Sequence, residues 1–115
     1  MPDEPADETA LTAAFQALAH PSRRRIVALL REAGALRVSD IAAVFDMSLN
    51  GVSKHLKVLE AAGLIDRQIE GRVHWIRVRW EGLQSPYEWL HFYHHYWSAR
   101  IDALVNHITA TSEDH

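Results

Sequence analysis

The 115-residue chain contains no cysteine. Disulfides, thiolate metal sites, iron–sulfur clusters and a cysteine nucleophile are therefore all excluded. No apolar run approaches the ~20 residues that span a bilayer. The opening MPDEPADETA is acidic and lacks the basic-then-apolar order of a secretory signal. Glycine and proline are scarce, five and four residues, so the chain is not low-complexity. It has no Gly-rich phosphate loop, and Ser39-Asp40 beside scattered histidines does not make a nucleophile–base spacing; no enzyme is expected. What is present is a 48% hydrophobic chain, enough for the core of one domain. A lone domain of this size is only modestly stable, and a partner surface would help it.

The net charge of −3 hides a split. Residues 21–79 hold eleven of the twelve Lys/Arg but only six of the fifteen acids, a net of +5, and the remainder nets −8. A basic middle between acidic ends can present a positive face despite the negative total.

Along the chain, residues 1–8 read as a disordered acidic leader, residues 9–110 as the domain and 111–115 as a disordered tail. Leu11, Phe15 and Leu18 mark a first helix from Thr9. Pro21 suits the first position of a second helix that stops near Gly34. That helix turns Ile26, Val27, Leu29 and Leu30 inward and Arg23, Arg24 and Arg31 outward. Ser39 reads as the N-cap of a short third helix, and Ser48 as the cap of a fourth running to about Ala62, with Gly63 its stop. Two helices joined by about three residues make a helix-turn-helix. Beyond Gly63 the period changes from 3.6 to 2: a strand to Ile69, a turn at Glu70-Gly71-Arg72, and a returning strand from Val73 to Trp80. The fold class is thus mainly α with a small β-hairpin, in the order α-α-α-α-β-β-α, a winged helix-turn-helix.

A last helix opens at Pro86 and runs to about 110. Its apolar positions cover an arc of roughly 220°, about twice what packing on a single core requires. The surplus reads as a dimer seam formed by the terminal helices, with Leu11, Phe15, Trp89, Tyr93, Tyr96, Trp97 and Leu104 as its expected interface.

In the fourth helix Val52, Leu56 and Leu59 form the inward stripe. Asn50, Lys54 and Lys57 lie on the outer face, with Ser53 at its edge. Such a polar, basic face suits a DNA major groove: Asn pairs with adenine, Lys donates to guanine, Ser does either. Lys57, a turn later, is expected near phosphate, and Ser48, the cap of the helix, belongs to the same DNA-binding set. Arg72, at the hairpin tip, is placed for a minor groove or a phosphate. Arg67, Arg77 and Arg79 are either backbone contacts or simply exposed strand residues. His55 reads as a packing residue rather than a base reader.

Leu18-Ala-His-Pro-Ser-Arg-Arg-Arg-Ile-Val-Ala-Leu-Leu30, Asp40-Ile-Ala, Val52-Ser-Lys-His-Leu-Lys-Val-Leu59, Ala62-Gly-Leu-Ile65 and the wing Glu70-Gly-Arg72 together resemble ArsR/SmtB-type bacterial repressors over residues 10–80. The resemblance implies a homodimeric, sequence-specific transcriptional repressor on a pseudo-palindromic double-stranded operator. It further implies Asn50, Ser53 and Lys54 as base contacts, and a cytoplasmic, nucleoid-associated protein. Leu49 stands where the family commonly has Gln, and Gly51 where it often has Pro or Ala. Arg37 and Ser39 occupy the two positions of the family's Cys-x-Cys metal site, so that site cannot exist here. No cofactor, metal or membrane partner is expected.

Two alternatives stand beside this reading. Glu88, His91, His95 and Asp102 share one polar face of the last helix, with His91 and His95 at a chelating i, i+4 spacing. That would suit a zinc- or nickel-responsive repressor, although the spacings differ from the zinc-sensing branch of the family. The aromatic last helix could instead serve a protein-interaction module. It could also admit a small apolar inducer of unknown identity.

Overall fold

The computed structural model describes residues 5–113 and divides after Ser85 into two compact units. The first holds α1 (Pro5–Leu18), α2 (Pro21–Ala33), β1 (Leu36–Arg37), α3 (Val38–Phe45), α4 (Leu49–Ala61), β2 (Ile65–Glu70), β3 (Val73–Val78) and a short 3-10 helix, Trp80–Leu83. The second unit is the body of α5 (Gln84–Glu113).

The punctuation of the helices is local chemistry. At the start of α2, the His20 side chain caps the helix, Nδ1 accepting from the Ser22 N–H at 3.1 Å, and Pro21 follows where a missing N–H costs nothing. The helix ends at Gly34, whose φ of 86° only glycine adopts freely. Asp46 closes α3 in the left-handed region, φ 53°, a conformation that short polar side chains tolerate.

The core is one cluster. Ala14 and Ala17 of α1, Ile26 and Leu30 of α2, Ile41 and Ala42 of α3 and Val52, Leu56 and Leu59 of α4 pack with Leu64, Ile65, Ile76 and Val78. The buried residues of α1, α2 and α4 stand at three- and four-residue spacing, as amphipathic packing requires, and the short α3 adds the adjacent pair Ile41 and Ala42.

Several boundaries differ from the sequence reading. Residues 5–8 and 111–113 are helical, where a leader and a tail without structure were expected; Pro5 supplies the φ of a first helical residue. Residues 1–4 and 114–115 of those two segments lie outside the described residues. The N-cap of α3 is Arg37, not Ser39: the Asp40 carboxylate at the third helical position accepts from the Arg37 N–H at 3.1 Å. The sheet has three strands in the order β1-β3-β2, all antiparallel, because Leu36 and Arg37 pair with Ile76 and Trp75. The hairpin itself is in register from Ile65↔Val78 to Glu70↔Val73, closed by Gly71 at φ 64° and Arg72.

Arg23 and Arg24 do more than solvate α2. Arg23 Nε donates to the Ala17 carbonyl at 2.6 Å and Nη2 to that of Gln16 at 3.2 Å, while Arg24 Nη1 donates to Leu18 at 2.6 Å. These are carbonyls of the last turn of α1, which lack i+4 helical donors, although that of Gln16 also accepts from the Ala19 N–H at 3.3 Å, and they carry the negative end of the helix dipole. The two guanidiniums therefore fasten α1 to the head of α2.

Candidate nucleic-acid interface

The α4 helix is held by Val52, Leu56 and Leu59, each with no exposed surface. That stripe fixes the rotation of the helix and leaves Asn50, Lys54 and Lys57 exposed, with Ser53 half-buried at their edge. Three residues, Asp46 to Ser48, separate α4 from α3. Ser48 is exposed and Oγ accepts from the Gly51 N–H at 3.0 Å, which occupies its acceptor side but leaves its hydroxyl hydrogen to donate. A Cβ at Gly51 would lie 3.2 Å from that oxygen, so glycine here gives the cap its room. Leu49 is 57% exposed beside Asn50, an apolar side chain presented outward at the first turn.

Arg72 is exposed at the hairpin tip. Between the tip and α4 runs an open groove of about 470 Å³, lined among others by Arg37, Ser39, Leu49, Ser53, Arg72 and His74. It joins the expected contacts Ser53 and Arg72 to residues to which the sequence reading gave no part in DNA binding, Arg37, Ser39 and His74. Their convergence depends on β1 pairing with β3, and a two-residue strand has no periodicity by which a sequence could announce it.

Of the two positions of the family's metal thiolates, Arg37 and Ser39, the first is held in an ion pair with Asp40. Arg37 Nε and Nη2 each lie 3.0 Å from an Asp40 carboxylate oxygen. The hydrogen bonds from the Arg37 side chain, and then from its backbone, hold the Asp40 carboxyl below the usual carboxylate range. The other strand arginines divide. Arg67 is half-buried against Glu60 and His74, Arg79 donates to the Gly63 carbonyl at 3.4 Å, and Arg77 is exposed.

His55 is turned away from the outer face of α4. Its ring centroid is 4.6 Å from that of His20, at the head of α2. Burial pushes its pKa down, and His20 and Arg23 add to the effect. The packing reading of His55 fits these surroundings.

On α5, eleven large apolar side chains stand exposed, among them Trp89, Tyr93, Tyr96, Trp97 and Leu104, from 40% at Tyr93 to 59% at Trp97. Leu11 and Phe15 of α1 are half-buried. The four polar-face candidates do not form a metal cage. His91 and His95 meet with their Nε2 atoms 3.1 Å apart, but among the described residues no three His, Asp or Glu side chains converge to hold an ion. No described helix is long and apolar enough to cross a membrane.

Comparison with known proteins agrees with this geometry. Residues 18–68 match a helix-turn-helix domain family. The transcriptional repressor SdpR of Bacillus subtilis is 32% identical over 76 residues, 66% of this chain and 83% of that one. A crystal structure of an ArsR family transcriptional regulator superposes with a TM-score of 0.69 at 33% identity, covering 85% of this chain and 97% of the other. The solution structure of a homodimeric winged helix-turn-helix DNA-binding domain from Mycobacterium bovis, a possible ArsR-family regulator, gives 0.63 at 26% identity over 78% and 84%. On these similarities the chain belongs to the ArsR family of winged helix-turn-helix, DNA-binding transcriptional regulators.

Proposed function

We propose that the protein is a homodimeric repressor that reads a pseudo-palindromic operator, each protomer placing α4 in a major groove and the hairpin tip beside it. Asn50, Ser53 and Lys54 are assigned to base edges, Ser48 and Lys57 to phosphates, and Arg72 to the minor groove or its phosphates. Two-fold symmetry then sets the half-sites about 10 base pairs apart. The observation that carries the reading is the outer face of α4: Asn50, Lys54 and Lys57 exposed on a helix whose opposite stripe is fully buried. Support for the dimer comes from the uncovered aromatic face of α5, to which Leu11 and Phe15 of α1 are added as the second element of the seam. No metal, cofactor or catalytic step enters this reading, and the inducer is left unassigned.

Selection of bound DNA from a random duplex pool, followed by binding at rising salt, tests it. The expected result is an enriched inverted repeat whose affinity falls steeply with salt, because released counterions supply much of the binding energy. A pool that shows no enrichment, or a complex indifferent to salt, would overturn the reading.

A further inference from the structure

The hairpin leaves the core as it extends. On its inner face Ile65, Ile76 and Val78 are buried, but the next inner positions are Arg67, His74 and an Ile69 that is 58% exposed. An isolated two-stranded hairpin is marginal in water, so the outer half of the wing needs something other than apolar packing to hold its angle. It has a polar strut. Arg67 Nη2 and Nε reach the Glu60 carboxylate in the last turn of α4 at 3.3 and 3.4 Å. Its Nη1 donates to His74 Nδ1, on β3, at 3.1 Å; a guanidinium has no acceptor, so in this arrangement Nδ1 is the unprotonated ring nitrogen. Arg67 pairs with Ile76 and His74 lies two residues nearer the tip on the same face, so one guanidinium ties both strands to the C-terminal end of α4.

We propose that Arg67 is a positioning residue of the wing and not a DNA contact: the chain Glu60–Arg67–His74 sets the angle of the hairpin against α4, and thereby where Arg72 stands relative to Ser53 and Lys54. The Arg67 side chain is only 20% exposed, as suits a strut and not a phosphate clamp. The strut itself requires no DNA; its effect on affinity rests on the proposed role of Arg72.

The test uses the full chain with Glu60→Gln, Arg67→Ala, Arg67→Lys and the charge-swapped pair Glu60→Arg/Arg67→Glu. In the free protein, amide hydrogen exchange over residues 69–74 should speed about tenfold in Glu60→Gln and Arg67→Ala. Helix α4 should keep its protection, and Arg67→Lys or the swapped pair should recover part of the loss at the wing. Unchanged exchange at the wing in Arg67→Ala overturns the strut. On selected DNA the two ideas differ in sign. Removing the Glu60 charge should weaken binding if it frees the wing, whereas it should strengthen binding if Arg67 meets phosphate directly, and that second result overturns the proposal. A wild-type chain that enriches no DNA defeats the functional reading alone, since the exchange measurement still decides the strut.

Discussion

Arg37 and Asp40 close on one another across the first turn of α3, two guanidinium nitrogens each 3.0 Å from a carboxylate oxygen, with the Arg37 N–H donating to the same carboxylate. One aspartate thus caps the helix and neutralises the arginine at the mouth of the groove. Asp40→Asn should keep part of the cap but lose the paired charge, lowering the melting temperature modestly. The sign with pH follows from the depressed Asp40 pKa. Its contribution is complete above the unfolded value near 3.8 and is lost as pH falls through the lowered folded value. Thermal melts between pH 7 and pH 2 should therefore show a steeper acid limb in the native chain than in Asp40→Asn.

Gly82 and Gly63 meet backbone to backbone. A Cβ built at Gly82 collides with the Gly63 carbonyl, while Gly63 itself stands at φ +76° to end α4. Gly82→Ala must push the 3-10 helix off that carbonyl, an overpacking that costs about 1–3 kcal/mol. Urea unfolding should give a lower midpoint at unchanged m-value. Gly63→Ala should cost about 1 kcal/mol through its left-handed backbone.

His55 sets a second pH window. Burial, then His20 and Arg23, push its pKa below the ordinary 6.5, so the folded chain binds this proton less readily than the unfolded one. Stability from this group is complete above about pH 6.5 and declines as pH falls from there to the lowered value. His55→Gln should flatten the melting temperature between pH 7.5 and 5.5. A native chain whose melting temperature rises over that interval as pH falls would contradict the assignment.

How much of this was legible beforehand follows from how local each signal is. The boundaries of α2 and α4 were readable because Pro21, Gly34, Ser48 and Gly63 act within a turn of themselves. The outward face of α4 was readable because Val52, Leu56 and Leu59 fix its rotation by spacing alone. Spacing shows only that Arg23 and Arg24 face outward, since the α1 carbonyls they cap become neighbours only when the chain folds back at His20. The strand β1 was missed because its partners, Trp75 and Ile76, are nearly forty residues away. The sequence alone cannot tell whether Arg67 is a DNA contact or a surface residue, because only the fold brings Glu60 and His74 to it. The existence of α5 is legible, but the helix extends past both expected ends, from Gln84 to Glu113; the wide apolar arc is legible too, and its side chains are exposed in the structure.

Leu49 should influence which operator is chosen. It is exposed at the head of α4, next to Asn50, where an apolar side chain can meet only a methyl group or nothing on a base edge. Leu49→Gln adds a donor and an acceptor and should move the preferred base at one symmetric position, by about 1–3 kcal/mol per base pair. Selection from a random pool with both chains measures this directly. Lys54→Ala should relax preference at a single position, whereas Arg72→Ala should weaken all sequences alike and lower the salt slope by about one.

The α5 face gives the sharpest prediction about assembly. Its 30 residues leave eleven large apolar side chains exposed, with Trp89 and Tyr93 in contact at 4.5 Å and Arg100 over the Tyr96 ring at 4.7 Å. So many exposed apolar side chains on one helix exceed the scattered apolar residues a monomer normally shows, and they support the proposed dimer seam. If the occupant is a second copy, Trp97→Glu places a charge in a surface that must become dry. The loss should be at least about 2 kcal/mol, a roughly thirtyfold rise in the dimer Kd. Sedimentation equilibrium over a range of concentrations should show the native chain as a dimer where Trp97→Glu dissociates. DNA binding should separate the roles further: a dissociated variant with α4 intact should still bind a single half-site weakly, but lose the advantage that an inverted repeat gives two linked helices. A native chain that sediments as a monomer at every concentration, while still preferring an inverted repeat, would show that the operator and not α5 brings the two copies together.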